Sequence, residues 1–190
     1  ISANFFLKNL NVKNIYCYEP HTLFIKKLKR LKKKYSNIRV YNYGISTINK
    51  KTTVYVPKIF FLNKMLYLYT YTFYDLVELK KQIKLDFINY KKILIEKIIL
   101  KLKKFKIIND KIDLIKVDVN GYEYEIIKCL KKQIVKDLPL IVIENNNELK
   151  KISNYLEKFG YKKYYNNNGK LEKYANQNVL DIFFLIKKWN

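Results

Sequence analysis

Residues 112–125 read IDLIKVDVNGYEYE, and the fold turns on how this stretch is parsed. An apolar run from Ile112 to Val119 carries Lys116 and Asp118 in its middle and breaks at Asn120-Gly121. A short run rich in Ile, Leu and Val, closed by a turn dipeptide, reads as a buried strand. On a period of two, Leu114, Lys116 and Asp118 share one face, with Ile115 and Val117 on the other. Parallel buried strands are ordinarily apolar on both faces, and a buried unpaired charge costs roughly several kcal/mol. The two charges therefore belong at an open end or in a pair. Asn-Gly turns the chain, and YEYEIIKCLKK (122–132) continues as a helix with Ile126, Ile127 and Leu130 on its apolar side. A strand, a tight turn and a helix result, with charge at the strand's carboxyl end, where open α/β sheets bind ligands.

Outward from this unit, NIYCYEP (14–20) is a strand stopped by proline. HTLFIKKLKRLKKKY (21–35) is an amphipathic helix, with Phe24, Leu28, Leu31 and Tyr35 at helical spacing and lysines on the solvated faces. NIRVYNYG (37–44) is another strand, and TTVYVP (52–57) is a strand or extended arm ending in proline. From 58 to about 92 the periodicity is poor, apart from a short helix in FYDLVELKKQI (73–83). The stretch 58–100 reads as an insertion or lid over a site, or as a surface loop packed by its own tyrosines. ILIEKIIL (93–100) fits either a strand or a helix. Pro139 opens the strand LIVIE (140–144), and the helix ELKKISNYLEKF (148–159) closes at Gly160. YKKYY (161–165), the turn NNNG (166–169) and LDIFFLI (180–186) finish as a strand, a loop and a strand. Alternating strands and helices with a terminal strand pair predict one α/β domain over 1–190, its sheet mostly parallel with an antiparallel edge.

The chain has 190 residues, 49% of them hydrophobic, enough for one sizeable core. Only four glycines and three prolines occur, which argues against disorder or a long linker. Cys17 and Cys129 lie in apolar contexts as core fillers, and the single histidine, His21, excludes a multi-histidine metal site. No metal is expected. Lys and Arg number 39 against 16 Asp and Glu, a net charge of +23. Arg30 and Arg39 are the only arginines, which weighs against specific nucleic-acid recognition and leaves weak, salt-sensitive adhesion to polyanions. No run of 18 apolar residues predicts a transmembrane helix, and IFFLNKMLYLYTYTFY (59–74) is interrupted by Asn63 and Lys64. No signal peptide is evident, so a cytoplasmic protein is expected. The chain opens on Ile1 rather than Met, and residues upstream of it are expected.

IDLIKVDVNGYEYEIIKCL (112–130) resembles the signature of the FkbM-type methyltransferases: an apolar strand, Lys-x-Asp, a Gly turn and Glu. Four supporting pieces fall in order: Glu19-Pro20 after an upstream strand, TVYVP (53–57), a Pro-led strand ending in Glu (Pro139, Glu144), and Gly160-Tyr161. The resemblance implies an S-adenosylmethionine-dependent O-methyltransferase on a Rossmann-like sheet, acting on a hydroxyl of a sugar, glycan or small metabolite. It places Asn4, Glu19, Pro20, Asp118 and Glu123 at the cofactor, with Glu19 holding the ribose hydroxyls. Asp118, Lys116 and Glu144 are the catalytic candidates, with Asp118 positioning the acceptor or taking its proton, and His21 stands behind them.

Departures from the pattern favour an alternative, a non-catalytic binding or scaffold domain on the same fold. The family's Gly-x-Asn-x-Gly turn corresponds to ISANFF (1–6), with Ser2 and Phe6 where glycines stand and only Asn4 retained. Asn120 replaces an acid, and KLKKF (101–105) carries Lys103 and Lys104 where the family has two acids. The family's first strand would lie before Ile1. On the bland reading, Lys116 and Asp118 form a structural ion pair and Glu123 is a first-turn helix acid.

Overall fold

A computed structural model describes residues 2–61, 64–86 and 93–186. The chain divides into two compact units, residues 1–53 with 98–105, and residues 54–97 with 106–190. Among the described residues no helix is long and apolar enough to cross a membrane.

The first unit holds α1 (Ser2–Asn9), β1 (Ile15–Tyr18), α2 (Thr22–Lys34), β2 (Ile38–Tyr41) and β3 (Gly44–Ser46). It also holds the start of β4 (Lys50–Phe61) and the end of β6 (Ile93–Lys104). β1 and β2 pair in parallel, Ile15 opposite Ile38 and Tyr18 opposite Tyr41. Their apolar face supplies Ile15, Cys17, Ile38 and Val40 to a core completed by Ala3 and Leu7 of α1 and Ile25, Leu28 and Leu31 of α2. The spacing of the α2 residues explains the helix, and His21 starts it: its Nδ1 accepts the Leu23 N–H at 3.2 Å. β3 pairs in parallel with β6, and here glycine is a necessity. A Cβ on Gly44 would lie 2.6 Å from Leu102 Cδ2 and 3.4 Å from Pro20 Cγ.

The second unit holds the rest of β4 and β6, β5 (Lys64–Tyr67), a 3-10 turn (Tyr69–Tyr71) and α3 (Leu76–Asp86). It continues with β7 (Leu114–Val117), α4 (Glu123–Cys129), α5 (Lys131–Asp137), β8 (Leu140–Glu144) and α6 (Leu149–Glu157). β9 (Lys162–Asn167), β10 (Lys170–Lys173) and β11 (Asp181–Leu185) complete it. Five strands form a sheet in the order β10-β9-β11-β8-β7, parallel at β7–β8 and antiparallel elsewhere. Ile141, Ile143, Ile182 and Phe184 of the sheet are fully buried, as are Ile127, Ile134, Ile152 and Leu156 of the helices.

Several expectations change. The described ladders form three sheets and are mixed rather than mostly parallel, because the β4–β5 and β9–β10 pairs fold back on themselves and β11 runs against both its neighbours. Pro57 does not end its strand. It lacks an N–H, but its carbonyl accepts the Leu68 N–H at 2.9 Å, and β4 continues to Phe61. The 58–100 region is largely regular, with β5, α3 and β6 in it, and its residues 62–63 and 87–92 lie outside those described. The NNNG turn joins two strands, with Asn168 and Gly169 both at positive φ (49° and 90°), as a two-residue hairpin turn requires.

A buried polar clamp holds the loop before β7. Asp137 Oδ2 accepts the Ile112 N–H at 3.0 Å and the Gln133 amide at 2.6 Å, while Gln133 Oε1 accepts the Ile108 N–H at 2.8 Å. Lys136 donates to the carbonyls of Ile108 and Asn109 from the same helix. Replacing Asp137 by Ala removes the acceptor of the partly buried Ile112 N–H and of one Gln133 amide hydrogen, the amide keeping its bond to the Ile108 carbonyl. We expect Asp137→Ala to lower stability by about 1–3 kcal/mol, measured by urea denaturation, with the m-value unchanged.

Candidate functional site

The carboxyl ends of the parallel strands carry the predicted residues in each unit. In the second unit Val117 lies opposite Ile143, so Asp118 and Glu144 are the next residues out of adjacent strands, and Asp181 opens β11 directly opposite Glu144. Lys116 sits among them, its side chain 19% exposed, with Nζ 2.8 Å from Asp181 Oδ1 and 3.9 Å from Asp118 Oδ2. The pairing anticipated within β7 is thus the looser of the two. The closer partner comes from the other end of the sequence. Glu144 has its carboxyl pushed above the usual carboxylate range, first by burial and then by the negative charges of Asp118 and Glu123, against the opposing pull of Lys116.

Glu123 is fully buried, and both its oxygens are used locally. Oε1 accepts the Val119 N–H at 3.1 Å and Oε2 the Gly121 N–H at 2.9 Å. The carboxylate therefore shapes the turn between β7 and α4, where Asn120 and Gly121 adopt φ of 50° and 93°. A second carboxylate, Glu148 Oε2, accepts the Tyr124 N–H at 3.0 Å in the first turn of α4. The turn is also tied to the 69–74 segment. Asn120 Nδ2 donates to the Thr70 carbonyl at 3.0 Å, and Tyr122 stacks on Tyr74 with centroids 4.6 Å apart. Within the 58–100 stretch, Thr70 and Tyr74 thus touch the turn that follows β7.

In the first unit Glu19 follows β1 and extends its ladder, donating its N–H to the Tyr41 carbonyl at 3.0 Å. Its Oε1 accepts the His21 N–H at 2.7 Å. Burial raises the Glu19 carboxyl, and the His21 N–H partly offsets that rise. Burial also lowers the His21 imidazole, so it stays neutral at the helix cap, and drives the Cys17 thiol up to about 11. Pro20 packs beside Gly44. Asn4 does not lie on a turn. Ser2 to Phe6 begin α1, because without glycines no residue there takes a positive φ, and Ala3 buries into the core.

Sequence reasoning missed Asp181, Glu148 and the Tyr74–Tyr122 stack. Asp181 had a signal, as a lone acid opening the apolar run LDIFFLI. The other two had none, since they depend on which loop reaches which turn. Among the described residues no three His, Cys, Asp or Glu side chains gather to hold a metal ion.

Two substitutions read the charge balance. Lys116→Met removes the cation held between Asp118 and Asp181, and we expect it to cost about 1–2 kcal/mol, discounted because Asp181 is a third exposed. Glu144→Gln should act in the opposite sense. A carboxyl raised in the folded chain binds its proton more tightly there than in the unfolded chain. The stability this confers is present below the ordinary value of 4.5 and lost as pH rises through the raised folded value. Thermal melts should show the Gln variant more stable than the parent at neutral pH, with the difference vanishing in acid.

Comparison with known proteins places this geometry. The Methyltransferase FkbM domain family matches residues 3–163. No curated protein matches the chain significantly. Among solved structures, the methyltransferase FkbM from Methylobacillus flagellatus KT is similar at a TM-score of 0.57 with 13% identity, covering 96% of this chain. The chain spans 40% of that protein's length. At that identity the likeness is one of fold, and it agrees with the mixed α/β architecture described above. The match over 3–163 carries the family assignment: the chain belongs to the FkbM-domain methyltransferases.

Proposed function

We propose that the chain is an S-adenosylmethionine-dependent O-methyltransferase on a Rossmann-like sheet, acting on a hydroxyl of a sugar or small metabolite. The observation that carries this reading is the placement of carboxylates at the carboxyl ends of parallel strands, Glu19 following β1, Asp118 following β7 and Glu144 closing β8. Glu19 fits the ribose half of the cofactor. Only its Oε1 is engaged by a described donor, which leaves Oε2 to accept from a ribose hydroxyl. The helical segment from Ser2 fits less well, because Phe6 puts a side chain where the family pattern has bare backbone. Pro20 and Asn4 would flank the cofactor as the family pattern implies, and Glu123 would act through the turn it clamps.

When bound, the cofactor supplies a methyl group on a sulfonium. The chain's own task is to hold an acceptor oxygen in line and remove its proton. Burial and the neighbouring carboxylates support Glu144 as the base, since an acid with a raised value keeps a proton better than an ordinary surface carboxylate. Asp118, more than half exposed, is suited to accept a hydrogen bond from the acceptor hydroxyl. Lys116 keeps the cluster from excess negative charge and orients Asp118.

Isothermal titration of S-adenosylmethionine into the chain tests the reading. We expect micromolar binding, weakened at least about tenfold in Glu19→Ala, as loss of a charge-assisted hydrogen bond predicts. Absence of binding in a chain with a cooperative melt would sink the enzyme reading for these residues.

A further inference from the structure

The positive charge is unevenly shared. Residues 1–53 and 98–105 carry 15 basic side chains and one acidic one, Glu19, so about a third of the chain holds +14 (15 − 1) of the net +23. Charge of this kind fits the solvated face of α2 and would carry nothing by itself. The second observation is aromatic.

One face of β1–β2, with Ile15, Cys17, Ile38 and Val40, is taken up by the core against α1 and α2. Alternation puts Tyr16, Tyr18, Arg39 and Tyr41 on the opposite face. There Tyr18 and Tyr41, directly paired across the ladder, stack with centroids 4.7 Å apart and planes at 11°. Tyr43 approaches both, at 5.9 Å and 5.7 Å, and Phe105 meets the edge of Tyr18 at 6.2 Å. Cations lie over the outer rings, Arg39 at 5.7 Å from Tyr16 and Lys103 at 4.8 Å from Tyr43. All four tyrosines are half-buried and Arg39 is exposed, so solvent reaches this face. Burial and the neighbouring phenols raise Tyr18 and Tyr43, which keeps those rings neutral.

Aromatic rings also fill protein cores, but a core face does not carry an exposed guanidinium. This one offers π-faces with cations at their margins, inside the most basic part of the chain. Nucleobases stack on such rings without regard to sequence, while phosphates pair with the surrounding cations. Tyr16 and Tyr18, two residues apart on one strand, are separated by about 6.6 Å, roughly twice the 3.4 Å rise between stacked bases. Their spacing admits splayed bases and does not match a closed duplex. The scarcity of arginine argues against base-specific readout and leaves this mode untouched.

We propose that the tyrosine face of β1–β2 is a binding platform for single-stranded nucleic acid, with bases stacked on Tyr16, Tyr18, Tyr41 and Tyr43 and phosphates held by Arg39, Lys103 and the lysines around them. The proposal stands independently of the methyl-transfer reading.

Fluorescence anisotropy tests it at physiological salt with two labelled probes, an oligouridylate of a dozen or so nucleotides and a duplex of the same charge, and two competitors, inorganic polyphosphate and anionic phosphatidylserine vesicles. We expect the single strand to bind at least about tenfold more tightly than the duplex. Tyr43→Leu and Tyr16→Leu should each weaken the oligouridylate by about tenfold, while polyphosphate binding holds. Arg39→Gln and Lys103→Gln keep the rings, and each should flatten the dependence of affinity on salt by about one ion. If the leucine variants do not fold, these two charge-removing substitutions decide the matter, and an unchanged salt slope overturns the proposal. Equal affinity for duplex and single strand also overturns it, as does a folded Tyr43→Leu variant that binds oligouridylate like the parent. Polyphosphate or anionic phosphatidylserine vesicles outcompeting the oligonucleotide would reassign the face to nonspecific adhesion.

Discussion

The second unit depends on one amino group. Lys116 projects from the end of β7 and meets Asp181 from β11, with Asp118 beside it and Glu144 on the strand between. Three strand ends bring four ionisable groups together where backbone pairing stops, and a single cation partly neutralises three anions. Without it, the parallel β7–β8 pair and the antiparallel β8–β11 pair would converge on unrelieved negative charge. A sheet can tolerate such a cluster only at its edge, where water still reaches part of every side chain.

The first unit solves a different problem with the same device. Its parallel pair, β1–β2, is also followed by an acid, but Glu19 forms no ion pair among the described residues. Its stabilisation comes from the His21 N–H, and the cost of burying it appears as a raised carboxyl. The imidazole of the same His21 receives the Leu23 N–H at the start of α2. Strand end, acid and helix start are therefore joined by consecutive hydrogen bonds over five residues, and Pro20 at this corner packs beside Gly44. Both units use residues at the carboxyl ends of parallel strands, the location where α/β sheets leave backbone and side chains open to a ligand.

Much of this was legible in the sequence, and the reasons differ by residue. The charges at Lys116 and Asp118 broke an apolar run and so announced an open strand end. The apolar spacing of α2 and the Asn-Gly and Asn-Asn-Gly turns carried their own local signals. ISANFF was legible only by analogy, and the analogy supplied a turn where helix-compatible residues without glycine make α1. The 58–100 region was opaque because strand pairing is nonlocal. Lys58 and Tyr67 converge on Glu96 from strands far apart in sequence, at 2.8 Å and 3.0 Å, and nothing in any one segment encodes that meeting. Asp181 carried a local signal as a lone acid opening an apolar run, but its pairing with Lys116 emerges only when β11 is laid beside β8.

The clamp of Glu123 on the Asn120-Gly121 turn has a consequence for the lifetime of the molecule. Asn-Gly is the dipeptide most open to spontaneous ring closure, since glycine has no side chain to hinder attack by its amide nitrogen on the asparagine carboxamide. Here the Gly121 N–H is committed to Glu123 Oε2, and the Asn120 carboxamide is tethered by its own nitrogen to the Thr70 carbonyl. Nucleophile and electrophile are each held by another partner. The turn that shapes the end of β7 is thereby also protected against chemical ageing, and a chain that loosens there would accumulate aspartate and isoaspartate at position 120.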